Sequence, residues 1–164
     1  MAEFEIRVTK YDPRFRDTSG RYLRDEWTSI SDVGKYYDDK PFKMEQYLEV
    51  EERYIKCVTL LFESKGIDQI KIVDLERYEH DDRLKEQTSL EKVYSELSEG
   101  DTIALGDLGN VVRLILRECL WCFLKSPSGD IGVRFGYDYY MYFFSREPFR
   151  EVISKIFAAG LYVD

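Results

Sequence analysis

Three cysteines and a single histidine are the residues of this chain best suited to metal or thiol chemistry. Cys119-Leu120-Trp121-Cys122 has the CxxC spacing, and with Cys57 and His80 it completes the ligand count of one tetrahedral zinc. The obstacle is local geometry. On a strand, residues three apart point to opposite faces, so both sulfurs reach one ion only across a turn. A redox pair would open a helix, where the N-terminal dipole lowers the thiolate pKa, and Trp121-Cys122-Phe123 does not read as a helix start. Buried, unreactive thiols are therefore expected, with a small metal-binding or enzymatic protein using Cys119, Cys122, Cys57 and His80 as the alternative.

His80 sits in Tyr78-Glu79-His80-Asp81-Asp82, a run that could combine a general base with carboxylates or hold a divalent ion. It has no second histidine and no EF-hand spacing beside it, so a solvated acidic loop able to serve as a binding surface is the expectation. A nucleophile elbow, a glycine-rich phosphate loop and an HExxH motif are all missing from the sequence. No catalytic residues, no cofactor and no enzymatic activity are expected.

Net charge is -8, and its distribution matters more than its total. Residues 1–37 and 102–164 each hold seven acids and seven bases, whereas residues 38–101 hold eighteen acids against ten bases. That field repels nucleic-acid phosphates and draws in a basic partner. The aromatic and arginine residues of 11–27 do not reverse this, because Asp12, Asp17, Asp25 and Glu26 offset Arg14, Arg16, Arg21 and Arg24. No stretch approaches the length of an apolar membrane span, and the first residues lack the regions of a signal peptide, so a cytoplasmic protein is expected.

The elements that must position these residues follow from periodicity. Phe4, Ile6 and Val8 alternate with charged residues, which predicts a strand over 3–10. A long loop or loose hairpin follows at 11–27, then one or two helical turns with Ser31 as N-cap. Tyr47, Leu48, Tyr54, Ile55, Val58, Leu61 and Phe62 recur at threes and fours, predicting a helix over 44–64 with Glu45, Glu49, Glu51 and Glu52 in its early turns. A strand is expected at 67–75, a charged loop at 76–87, and an amphipathic helix at 89–98 burying Leu90, Val93 and Leu97. A further helix is read at 107–117, strands at 120–125 and 131–135 around a Pro/Gly turn, a helix at 149–159, and a short closing strand at 161–163.

Within Gly136–Phe144, a turn leads into a strand at 139–144. Tyr139, Met141 and Phe143 then face the core, and Tyr140, Tyr142 and Phe144 the other side. Either the 149–159 helix covers that second side, or it stays partly open and Tyr140 and Tyr142 beside Asp138 act as interface anchors. The whole is expected to be a single α+β domain, residues 1–164, with a mainly antiparallel sheet packed with three main helices.

Five ordered blocks carry a resemblance: Lys10-Tyr-Asp-Pro-Arg-Phe-Arg16, Asp25-Glu-Trp-Thr-Ser-Ile-Ser-Asp-Val-Gly34, Ile72-Val-Asp-Leu-Glu76, Leu114-Ile-Leu-Arg-Glu-Cys-Leu-Trp-Cys122 and Phe135-Gly-Tyr-Asp-Tyr-Tyr-Met-Tyr142. Along most of its length the chain resembles the immunity proteins of bacterial polymorphic toxin systems. That resemblance implies a non-enzymatic cytoplasmic protein that binds and blocks a cognate toxin, often a nuclease, and it supplies no catalytic residues. An acidic surface is what an inhibitor needs to occupy a basic phosphate-binding cleft. The expected partner is a toxin with a basic surface, met by Glu76, Glu79, Asp81, Asp82, Asp138, Tyr140 and Tyr142. Neither nucleic acid nor membrane is expected as a partner, while an exposed aromatic strand edge would permit a homodimer.

Overall fold

The computed structural model describes residues 4–79 and 88–164. Its first strand, β1 (Phe4–Thr9), is followed by a loop that makes a single 3-10 turn at Pro13–Phe15 and a bridge between Arg16 and Tyr22. A second 3-10 turn, Ile30–Asp32, is capped by Ser29, whose hydroxyl accepts from the Ser31 N–H. Ser31 is the expected cap; the cap is instead Ser29, two positions earlier, on a turn of three residues. A two-residue hairpin, β2 (Tyr36–Tyr37) with β3 (Lys40–Pro41), is too short to leave a periodic signal in the sequence.

Helix α1 (Met44–Ser64) has the expected ends and buries Tyr47, Tyr54, Val58, Leu61 and Phe62 along one stripe. Glu51 belongs to that same stripe and is 1% exposed, while Leu48, expected inward, is 40% exposed. After α1 come β4 (Gln69–Arg77), α2 (Thr88–Glu96), the short β5 (Thr102–Ala104) and α3 (Leu108–Leu116). The dense apolar run at 108–116 is therefore a helix, buried on most sides among α1, α2 and the sheet. Then follow β6 (Leu120–Lys125), β7 (Ile131–Phe135), β8 (Met141–Ser145), α4 (Arg150–Ala158) and β9 (Tyr162–Val163).

The result is the expected α+β domain. Its seven-stranded sheet has the order β5-β4-β6-β7-β8-β1-β9 with antiparallel pairings, and four helices accompany it among the described residues. Strict alternation in β6 and β8, buried then half-buried, divides the sheet into two faces. The inner face, with Ile70, Ile72, Leu124, Val133, Met141 and Phe143 at 0% exposure, joins the helices in one core. Helix α4 packs beside α1 and against β9, so it belongs to this core. No helix of the described residues is long and apolar enough to cross a membrane.

Candidate functional site

The strand registers define what the other face presents. One cross-strand row reads Lys71, Lys125, Gly132, Phe144 and Glu5, from β4 through β6, β7 and β8 to β1. In the next row Val73 stands opposite Phe123, and Tyr142 opposite both Arg134 and Arg7. Beyond it, Glu76 stands opposite Trp121. All the aromatic members are half-buried, as expected of large side chains that shelter one another on a sheet with one packed face.

Two glycines shape this surface. A Cβ at Gly132 would run into the Phe144 ring and lie 2.8 Å from the Leu124 carbonyl oxygen. At Gly136 it would lie 3.1 Å from the Tyr142 ring. The rings thus lie down over bare backbone. Arg134 sits 4.7 Å over the Tyr142 ring and Lys125 4.9 Å over Phe123, which holds cations flat against the aromatic surface.

At one end of the sheet the β7–β8 connection makes a tight turn. Gly136 donates its N–H to the Tyr140 carbonyl at 2.8 Å, and Tyr140 donates to the Tyr137 carbonyl at 3.0 Å. Its central residues Asp138 and Tyr139 have φ of 56° and 68°, the left-handed region that matches the twist of a two-residue hairpin turn. A tyrosine is seldom found there. Tyr139 is held by its environment: the ring is buried near Trp27, Tyr47 and Tyr54, and its hydroxyl donates to the Leu116 carbonyl at 2.9 Å.

Loop 11–27 folds over the neighbouring part of the outer face. The Tyr11 hydroxyl donates to the Asp138 carbonyl at 2.7 Å, and the Tyr11 ring packs 5.5 Å from Tyr140. Arg16 donates to the Tyr140 hydroxyl at 3.0 Å and pairs with Asp164, which also receives Arg7 at 2.9 Å. Beneath the loop, the Lys10 ammonium lies 4.2 Å over Tyr11 and 4.1 Å over Trp27, with no hydrogen-bond partner among the described residues. Burial pushes its pKa down to about 8.

The expected contact residues are thus placed unequally. Glu76 and Glu79 are exposed at the end of β4, and the Tyr78 hydroxyl donates to Glu76 at 3.0 Å. Asp138 is exposed on the turn at the same end of the sheet. Tyr140 and Tyr142 are half-buried, the first held by Arg16, Arg7 and Tyr11, the second beneath Arg134. His80, Asp81 and Asp82 lie outside the described residues. Two aromatic residues are exposed here: Tyr78 by 43% and Tyr137 by 92%. Neither carries a periodic signal: Tyr137 belongs to neither strand flanking the turn, and Tyr78 lies just past the end of β4.

The three cysteines are buried, and burial pushes the thiols of Cys57 and Cys122 up to about 12. Cys119 precedes β6, its Sγ 3.6 Å from the Arg117 carbonyl, and Cys122 is on the inner face. Among the described residues no group of three or more His, Cys, Asp and Glu side chains is arranged to hold a metal ion. No protein-family model, curated protein or solved structure matches the chain.

Proposed function

We propose that this is an immunity-type cytoplasmic protein that binds and blocks a toxin with a basic surface, without chemistry of its own. The observation that carries the proposal is that Glu76, Tyr78 and Glu79 at the end of β4 and Tyr137 and Asp138 of the hairpin turn are all exposed at one end of the sheet. Exposed tyrosines offer large, rigid, amphipathic contact area at low entropic cost, and their ring faces attract arginine and lysine. Carboxylates beside them add steering toward a cationic cleft. The acid excess of 38–101 extends this field, with Glu45, Glu49 and Glu63 exposed on α1 and Asp74, Glu91, Glu96 and Glu99 exposed around β4 and α2.

The test is binding and protection. Produced with a basic toxin encoded beside its own gene, the protein should co-purify with it and rescue cells that make it. Tyr137→Ala should cost about 2 kcal/mol of affinity, the scale of a buried aromatic anchor. The pair Glu76→Lys and Glu79→Lys should slow association at low salt by about tenfold or more. A folded protein that neither binds nor protects would overturn the proposal.

A further inference from the structure

We infer that Glu99 is a positioning residue: its carboxylate holds a bulge in β4 that turns Glu76 and Tyr78 onto the outer face of the sheet. Its consequence for toxin binding rests on the function proposed above; its effect on the strand does not.

Along β4 and β6, Val73 stands opposite Phe123, but the next partners are Glu76 and Trp121. Asp74 and Leu75 therefore share the one place opposite Cys122, which makes a β-bulge. Side chains alternate along a strand, so one extra residue turns all later ones to the other face. In an unbroken β4, Glu76 would share the core side of Ile70 and Ile72; past the bulge it shares the outer side of Val73 and Trp121. Tyr78 follows two residues on, its hydroxyl donating to the Glu76 carboxylate at 3.0 Å. Arg77, opposite Leu120, turns the other way.

The bulge is clamped from outside the strand. Asp74 has a φ of 57°, a left-handed backbone that residues other than glycine seldom adopt. Its N–H and that of Leu75 donate to Glu99, one to each carboxylate oxygen, at 3.0 and 2.7 Å. Such charge-assisted bonds are roughly twice as strong as neutral ones. Glu99 lies in the turn between α2 and β5, and the same turn grips the strand just before the bulge. There Ile72 donates its N–H to the Asp101 carbonyl at 2.8 Å and accepts the Gly100 N–H at 2.9 Å. Arg77 completes the clamp beyond the bulge, donating to the Tyr94 carbonyl at 3.0 and 2.9 Å and to the Leu97 carbonyl, which caps the C-terminal end of α2. Strand and turn thus each bond the other's backbone through one charged side chain. The course of β4 beyond Val73 depends on a residue 25 positions from Asp74.

Hydrogen exchange of the isolated protein, followed by nuclear magnetic resonance, tests this at the Tyr78 amide, which lies beyond the bulge and donates to the Cys119 carbonyl at 3.0 Å. Glu99→Gln leaves one oxygen for two amides and sets a donor against the other. The Tyr78 amide should then exchange about tenfold faster or more, whereas Glu96→Gln, which removes the same charge at the exposed end of α2, should change it less than about twofold. Adding Asp74→Gly to Glu99→Gln supplies a residue that takes the left-handed backbone freely, and should return the rate to within about threefold of the native protein. Loss of charge alone would show no such rescue. Circular dichroism checks that the variants keep the fold. Against a basic toxin that the native protein binds, Glu99→Gln should cost about tenfold in affinity and added Asp74→Gly should restore it. An unchanged Tyr78 rate in Glu99→Gln, an equal effect of Glu96→Gln, or no rescue by Asp74→Gly overturns the inference. Faster exchange with unchanged affinity keeps Glu99 as the positioning residue and removes the end of β4 from the toxin contact.

Discussion

The hydroxyl of Tyr54, midway along α1, donates to the backbone carbonyl of Tyr139 at 2.6 Å and accepts the backbone N–H of Lys10 at 2.9 Å. One side chain thus ties the end of β1 to the left-handed turn of the β7–β8 hairpin. Both backbone groups are sheltered from water, so without Tyr54 they would lose partners that solvent cannot replace.

Tyr54→Phe keeps the ring and removes the hydroxyl. We expect a loss of about 2 kcal/mol in chemical denaturation, more than a surface hydroxyl is worth, because a buried carbonyl and a buried N–H are left unsatisfied. Hydrogen exchange should accelerate first at the 136–140 turn, since its unfavourable φ values are maintained by this bond and by the buried ring of Tyr139.

Glu51 lies in the apolar stripe of α1 and receives two hydrogen bonds from Arg117, each 2.8 Å, with Arg113 at 3.3 Å. Glu51→Leu removes the carboxylate that pairs with the buried Arg117 guanidinium and should cost about 3–5 kcal/mol. Combining it with Arg117→Met removes the uncompensated charge, so the double variant should be more stable than Glu51→Leu alone. Thermal melts of the native protein, Glu51→Leu, Arg117→Met and the double variant measure the coupling.

Gly132→Ala forces its new methyl group into the Phe144 ring and toward the Leu124 carbonyl. A destabilisation of about 1–3 kcal/mol is expected from this overpacking. In a Phe144→Ala background the ring clash is gone and only the carbonyl contact remains, so the same change should cost distinctly less. Urea midpoints at equal slope would show it.

Lys10 gives stability a pH dependence with a definite sign. Its ammonium is depressed to about 8 in the fold against 10.5 in a free chain. Between those values the unfolded chain binds the extra proton, so the lysine's burial cost is felt fully below pH 8 and fades as pH rises to 10.5. The stability of the native protein relative to Lys10→Met should therefore rise across this window, by about 3 kcal/mol. The buried thiols and tyrosines act in the other direction. Cys57 and Cys122 are raised from 9.0 to about 12, and Tyr11, Tyr47, Tyr54 and Tyr139 are raised above 10, all by burial. Unfolded, they lose protons first, so both proteins should destabilise above about pH 9. The difference between their denaturation curves isolates the lysine.

Much of the chain was determined locally and could be read from the sequence. Helix α1 repeats its apolar residues over 21 positions, and β6 and β7 are bounded by their Pro/Gly turn, so their ends follow from neighbouring residues alone. Alternation within β8 likewise assigned Met141 and Phe143 to the core. What tertiary structure decided are the features that depend on a partner distant in sequence. Strand β5 has three residues and no pattern of its own; it exists because β4 supplies its hydrogen bonds. Glu51 looked like one acid among four in the early turns of α1, and only Arg117, 66 positions away, makes it a core residue. The left-handed backbone of Tyr139 violates local preference and is maintained by Tyr54, 85 positions away. The candidate site is of this second kind, since the sheet register alone brings the end of β4 to the β7–β8 turn. Composition could supply the acids and tyrosines, but periodicity carries no information about which strand lies beside which, and that pairing set the open face and its corner.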